Sequence, residues 1–302
     1  MLPVDRRQFL QTVSSIAAGA ATGTLLSPLA QGQDASRSQA AVETPFLFGL
    51  VTYQWGKDWD LPTLIENCEA AGARGVELRT THAHAVEPSL SSAEREAVRQ
   101  RFANSNVELV GIGSNERFDN PDPAVVRQAI EASKEFIRLS HDVGGTGVKV
   151  KPDRFHPSVP REKTIEQIGR ALAELGEYGA GYGQEIRLEV HGQCAELPTI
   201  KAIIDVADHD NVRVCWNSNA QDLQGQGLES NFNLVRPHFG STLHVRELDT
   251  KDYPMDKLFE LLVKSNYGGW MLLEASSQPE DRVAALTEQT RLFHQMLAAA
   301  QA

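Results

Sequence analysis

The chain has 302 residues, 41% hydrophobic and 23% charged, with a formal net charge of -11, enough apolar material for one large α/β domain or two small ones. The acidic balance excludes a nonspecific binder of nucleic acid or of an anionic membrane, either of which needs a basic face. Three cysteines, Cys68, Cys194 and Cys215, show no C-x-x-C spacing, so neither a disulfide scaffold nor a thiolate metal site is expected.

The chain begins with an address. "DRRQFL" carries Arg6 and Arg7 and is followed by "VSSIAAGAATGTLL" and then a Pro/Ala/Gln-rich stretch, with no acidic residue until Asp34. This reads as a twin-arginine signal over residues 1–35, with a linker over 36–45 and a catalytic domain over 46–302. The expectation is export of a folded protein, periplasmic or secreted, and no later run is long enough for stable insertion of the mature chain in a bilayer.

From about residue 46 the sequence alternates between short β-rich apolar runs and helix-period segments. The runs are "FLFGLVTYQW", "GVELRTTH", "VELVGIGS", "GVKVKP", "IRLEVHG", "VRVCWNSN", "STLHVREL" and "WMLLEAS". Pro62, Pro123 and Pro160 stand at predicted helix entries and Gly72, Gly144 and Gly268 at exits, while Pro237 makes the sixth helix, "FNLVRPHFG", the weak one. Eight β/α units without a composition shift predict a single (β/α)8 TIM barrel of parallel strands. A doubly wound open sheet is the alternative, but "TYQWGKDWD" after the first strand lacks the G-x-G-x-x-G loop.

In such a barrel, residues i and i+2 at a strand's C-terminal end face the same mouth. Lys149 and Lys151, Glu189 and His191, Asn217 and Asn219, and His244 and Arg246 are such pairs on the fourth to seventh runs, with Glu274 on the eighth. Two carboxylates, one imidazole and a carboxamide suit a hard divalent cation, Mn²⁺ or Mg²⁺ first and Co²⁺ next.

Residues from about 46 to 300 resemble the xylose isomerase-like TIM-barrel superfamily, the sugar phosphate isomerase/epimerase group. Its ketose 3-epimerase and inosose-processing members hold a metal with Glu, Asp, His and Glu at the ends of strands five to eight. "LEVHG", "VCWNSN", "LHVREL" and "LLEAS" supply Glu189, Asn217, His244 and Glu274 in that order, at steps of 28, 27 and 30 residues. Asn217 departs from the usual Asp, which lowers the site's negative charge; Asn219 is the alternative ligand. Where a substrate-binding histidine is usual, this chain has Ala220.

The resemblance implies metal-assisted proton abstraction next to a carbonyl, with Glu189 and Glu274 as the paired acid/base groups. His191, Arg246, Lys151, Asn219 and Trp55 are the expected substrate-binding residues, Lys151 and Arg246 stabilising developing charge or an anionic substituent. Tyr53 and Trp55 offer an apolar wall for a sugar ring, core packing being the other use of Trp55. Glu77 and Arg79 reach the mouth or form a buried ion pair, and His82 and His84 read as loop residues. The expected activity is isomerisation or epimerisation of a non-phosphorylated sugar or polyol-derived ketone. Elimination from a keto-sugar or keto-glycoside through the same enolate is the alternative, and a non-catalytic sugar-binding barrel the second. A phosphodiesterase of this fold would use more His and Asp ligands. The resemblance also implies a homodimer or homotetramer; the partner expected from the residues is a small carbohydrate.

Overall fold

The computed structural model describes residues 45–302. The expected signal segment, and all but the last residue of the linker, lie outside the described residues. Eight strands, Leu47–Val51 (β1), Gly75–Arg79 (β2), Glu108–Arg117 (β3), Gly147–Lys151 (β4), Glu185–Glu189 (β5), Val212–Asn217 (β6), Phe239–Val245 (β7) and Trp270–Leu273 (β8), pair in parallel and close into a barrel, β1 against β8. The helices that follow them are Leu61–Ala71 (α1), Ser92–Ala103 (α2), Pro123–Val143 (α3), Arg161–Ala180 (α4), Leu197–Ala207 (α5), Leu228–Val235 (α6), Met255–Lys264 (α7) and Arg282–Gln301 (α8). This is a TIM barrel, as the alternating pattern predicts. Among the described residues no helix is long and apolar enough to cross a membrane.

Local chemistry sets the element ends. Asp60 accepts a hydrogen bond from the Thr63 amide at 2.9 Å to start α1, and Ser91 and Glu94 form a reciprocal capping box on α2. Gly72 and Gly144 end α1 and α3 in the left-handed region. Gly268 does not end α7: the helix stops at Lys264, and Asn266 takes the positive φ of 50°. The sixth unit is short for the expected reason, since α6 stops at Val235 and a single 3-10 turn over Arg236–His238 carries Pro237.

Strand alternation separates two apolar regions. Phe48 and Leu50 of β1 join the main core between strands and helices, whereas Val51 packs inside the barrel with Val110, Trp270 and Leu272. Beside this small apolar cluster the interior is ionic. Arg187 is fully buried and reaches Glu185 Oε1 (2.9 Å), Val110 O (3.1 Å), Thr146 Oγ1 (2.7 Å) and Ser241 Oγ (2.9 Å). A Cβ on Gly147 would stand 2.7 Å from the guanidinium carbon, so only glycine leaves it room. Glu77, Lys149, Glu189 and His244 lie within the barrel with no exposed surface.

Candidate active site

At the C-terminal ends of β5, β7 and β8, Glu189, His244 and Glu274 offer ligand atoms that all lie within 4.8 Å of one another. His244 Nδ1 stands 3.9 Å from Glu189 Oε1 and 3.7 Å from Glu274 Oε2, while Nε2 faces Glu77 Oε1 at 3.3 Å. Asn217, paired in register with His244, donates from Nδ2 to Glu189 Oε1 (3.0 Å) and Glu274 Oε2 (3.2 Å). Turning that amide over would present Oδ1 to the same space.

These residues fit a divalent cation. His244 Nδ1 is buried without a hydrogen-bond partner and looks toward two carboxylates, and the donor set of oxygens and one imidazole suits a hard or borderline ion. Glu77 behind the ring is the kind of outer carboxylate that fixes a ligating histidine's tautomer. Glu77 is thus the buried ionic partner that was one of its two sequence readings. Lys149 Nζ holds Glu189 Oε2 at 2.8 Å, both groups fully buried. Burial alone would raise the Glu189 carboxyl, but Lys149 and His244 outweigh it and hold it well below its ordinary value. Burial alone would lower His244, yet Cys215, Glu77 and Glu189 raise it well above its ordinary value.

Over this cluster opens a cavity of about 580 Å³ whose lining includes Arg79, Arg117, Lys151, His191, Arg246 and Glu274. Arg79 stacks on Tyr53, 4.7 Å from the ring centroid, with Nη1 3.8 Å from Glu274 Oε1. Lys151 is 5% exposed, and burial together with Lys149 pushes its ammonium down to about 8. Arg246 Nε donates to Ser218 O at 3.1 Å. His191 Nδ1 meets Asp153 Oδ1 at 3.0 Å, and Asp153 Oδ2 is held by Arg117 Nη1 (3.2 Å) and Arg154 Nη2 (3.4 Å). Asp153 has a φ of 68°, which a non-glycine residue keeps only when its surroundings over-determine it. Gly192, at φ 69°, closes the arrangement: a Cβ there would lie 2.2 Å from Asp153 O.

The structure therefore gathers Glu189, Asn217, His244 and Glu274 into one cluster and sets Lys151, His191, Asn219 and Arg246 around the cavity above it. Asn219 turns its amide to Val190 O at 2.6 Å, and its backbone N–H donates to Asp222 Oδ2, so Asn217 is the amide that faces the carboxylates. Trp55 stands apart: it is 2% exposed, donates from Nε1 to Ser277 O at 3.0 Å and borders a separate cleft with Arg282, while Tyr53 lines the mouth. His82 and His84 brace the loop after β2 through Thr52 Oγ1 (3.2 Å) and Arg79 O (2.7 Å), and burial pushes His84 down to about 4. Sequence reasoning missed Asp153 and Arg117. Asp153 follows Lys151 by two residues and so shares its face, a signal masked by Pro152; Arg117 lies where β3 outruns its apolar stretch.

The sequence profile described as "Xylose isomerase-like TIM barrel" matches residues 65–293. The chain belongs to that family. Solved structures of similar shape include an L-ribulose 3-epimerase (TM-score 0.73, 16% identity, 84% of this chain and 95% of that one). A 3-keto-D-glucoside 4-epimerase from E. coli follows (0.70, 14%, 83% and 99%), as does the IolI protein with a zinc atom (0.69, 16%, 84% and 98%). At these identities the likeness establishes the fold. No curated protein sequence matches the chain.

Proposed function

We propose that the chain is a metal-dependent sugar epimerase or isomerase that abstracts a proton next to a carbonyl. The observation that carries this is the Glu189–Asn217–His244–Glu274 cluster at the floor of a polar cavity in a xylose isomerase-like barrel. Several neighbours of the same shape are sugar epimerases by name, which supports the reaction class. A cation held by Glu189, Asn217, His244 and Glu274 supplies the charge that acidifies a C–H beside the substrate's carbonyl. Glu274 lines the cavity and takes the proton there, while Glu189 works from below its floor with Oε2 fixed by Lys149. Arg79 positions Glu274, and Arg246 and Asn219 border the space a substrate hydroxyl would use.

A second reading, elimination of a β-substituent, is favoured by one feature. His191, oriented by Asp153, forms an acid/base pair on the cavity wall separate from the glutamates. Metal content of the purified protein, followed by solvent-deuterium incorporation into keto sugars with and without product formation, tests both; a metal-free protein that exchanges no sugar proton rejects them. Export through the twin-arginine pathway is proposed from Arg6 and Arg7, and unimpaired translocation of the Arg6→Lys, Arg7→Lys double variant would reject it.

A further inference from the structure

Charge pairing around the cavity leaves a buried cation over. Lys149 matches Glu189, Arg79 matches Glu274, and Arg117 with Arg154 matches Asp153. Lys151 lines the cavity at 5% exposure, yet among the described residues it has neither a hydrogen-bond partner nor a carboxylate within 4.0 Å. Its stem is buried while its ammonium faces the open cavity, where an anionic group of a ligand can pair with it. Arg117, the register partner of Lys151 on β3, is on the same wall, and Arg246 adds a further guanidinium without a carboxylate from β7. Glu274 is the one carboxylate of the lining, in a chain whose net charge is -11.

A neutral sugar gives this wall nothing to neutralise. We propose that the substrate is a sugar acid whose carboxylate pairs with Lys151 at the β4 side of the cavity, an inference that rests on the sugar-enzyme reading above. A phosphate fits less well. TIM barrels hold phosphate on backbone N–H groups of the loops after strands seven and eight, and here the Ser276 and Ser277 amides past β8 already donate to Glu247 Oε1 at 3.1 and 2.8 Å.

The test is calorimetric titration of the full-length, Mn²⁺-loaded protein with D-fructose, D-fructuronate and D-fructose 6-phosphate, and with D-glucose, D-glucuronate and D-glucose 6-phosphate. In at least one series the acid should bind tenfold or more tightly than its neutral parent. Lys151→Gln should abolish that preference and Lys151→Arg retain most of it, both variants showing cooperative thermal unfolding. Equal affinity for acid and parent, no binding by either acid, a preference for the phosphate, or a preference that survives Lys151→Gln would each overturn the proposal. Solvent-deuterium exchange is scored separately on the same sugars. Exchange into neutral sugars alone leaves the epimerase reading intact and overturns the acid. Acid binding without exchange into any sugar rejects the catalytic reading and keeps the anion site.

Discussion

Asn217→Asp changes the candidate metal centre without changing its shape. In the metal-free protein the Asn217 amide separates two carboxylates, donating to Glu189 at 3.0 Å and to Glu274 at 3.2 Å. Replacing it removes two hydrogen bonds to charged acceptors, each worth about 1.5–3 kcal/mol. It also sets like charges about 3 Å apart, a repulsion of about 5–6 kcal/mol per pair at an effective dielectric of 20. The variant escapes most of this by keeping a proton, and holding a carboxyl with an ordinary value near 3.9 protonated at pH 7 costs about 4 kcal/mol. A loss of about 4 kcal/mol in a barrel of this size lowers Tm by roughly 8–16 °C. With Mn²⁺ the added carboxylate becomes an attraction, so Mn²⁺ affinity should rise at least about tenfold, and the variant should recover in Mn²⁺ the stability it lost in chelator. Turnover should fall or stay flat, because a more neutralised cation polarises a carbonyl less. Thermal unfolding with EDTA and with Mn²⁺, beside calorimetric Mn²⁺ titration, reads both effects. An equal Tm deficit under the two conditions, or an unchanged affinity, would refute the place of residue 217 in the ligand set.

Glu274→Gln and Glu189→Gln should each lower turnover by about 10²–10⁴-fold while retaining some metal, whereas His244→Ala should lose the metal first; turnover and metal content measured on the same samples separate these. Lys149→Met leaves Glu189 buried without its ammonium and should cost about 3–5 kcal/mol in urea unfolding, and a loss under about 1 kcal/mol would show that the pair is not a buried one in solution. Asp222, buried and accepting from Tyr253 Oη (2.8 Å) and the Asn219 amide (2.9 Å), is pushed up to about 7 from 3.8 by burial. Its folded form prefers the proton, so its burden on stability is absent below about pH 4, grows from there to about pH 7 and is complete above that, by up to about 4 kcal/mol. Asp222→Asn should therefore gain stability relative to the parent between pH 5 and pH 8, and an equal difference at the two pH values would count against a raised Asp222.

The barrel was legible because its signals are local. Eight apolar runs spaced by one helix each need nothing beyond period counting; the two-residue alternation at strand ends places Glu189, Asn217, His244 and Glu274 among the polar residues of the mouth, and the family resemblance singles those four out as ligands. What stayed hidden depends on contacts between strands. Lys149 acquires meaning from facing Glu189 on the adjacent strand and Glu77 from facing His244 across the closed barrel. Asp153 needs both the positive φ after Pro152 and the missing Cβ of Gly192. Trp55, two residues beyond Tyr53, turns to Ser277 O while Tyr53 lines the mouth, a difference of loop path that composition does not encode.

The ionic interior has a functional logic that its energetics make plain. Apolar packing at Glu77, Lys149, Glu189 and His244 would be at least as stabilising as two buried ion pairs, and the same barrel uses Val51, Val110 and Leu272 in its apolar cluster. Each pair instead ties a candidate ligand to another strand, Glu189 on β5 to Lys149 on the adjacent β4 and His244 on β7, across the barrel, to Glu77 on β2. Side chains held in this way are oriented in advance, so the binding of the proposed cation would not have to order them. Lys149 already takes up Glu189, which leaves Lys151 without a carboxylate partner among the described residues, and the proposed sugar acid is the group that would supply one.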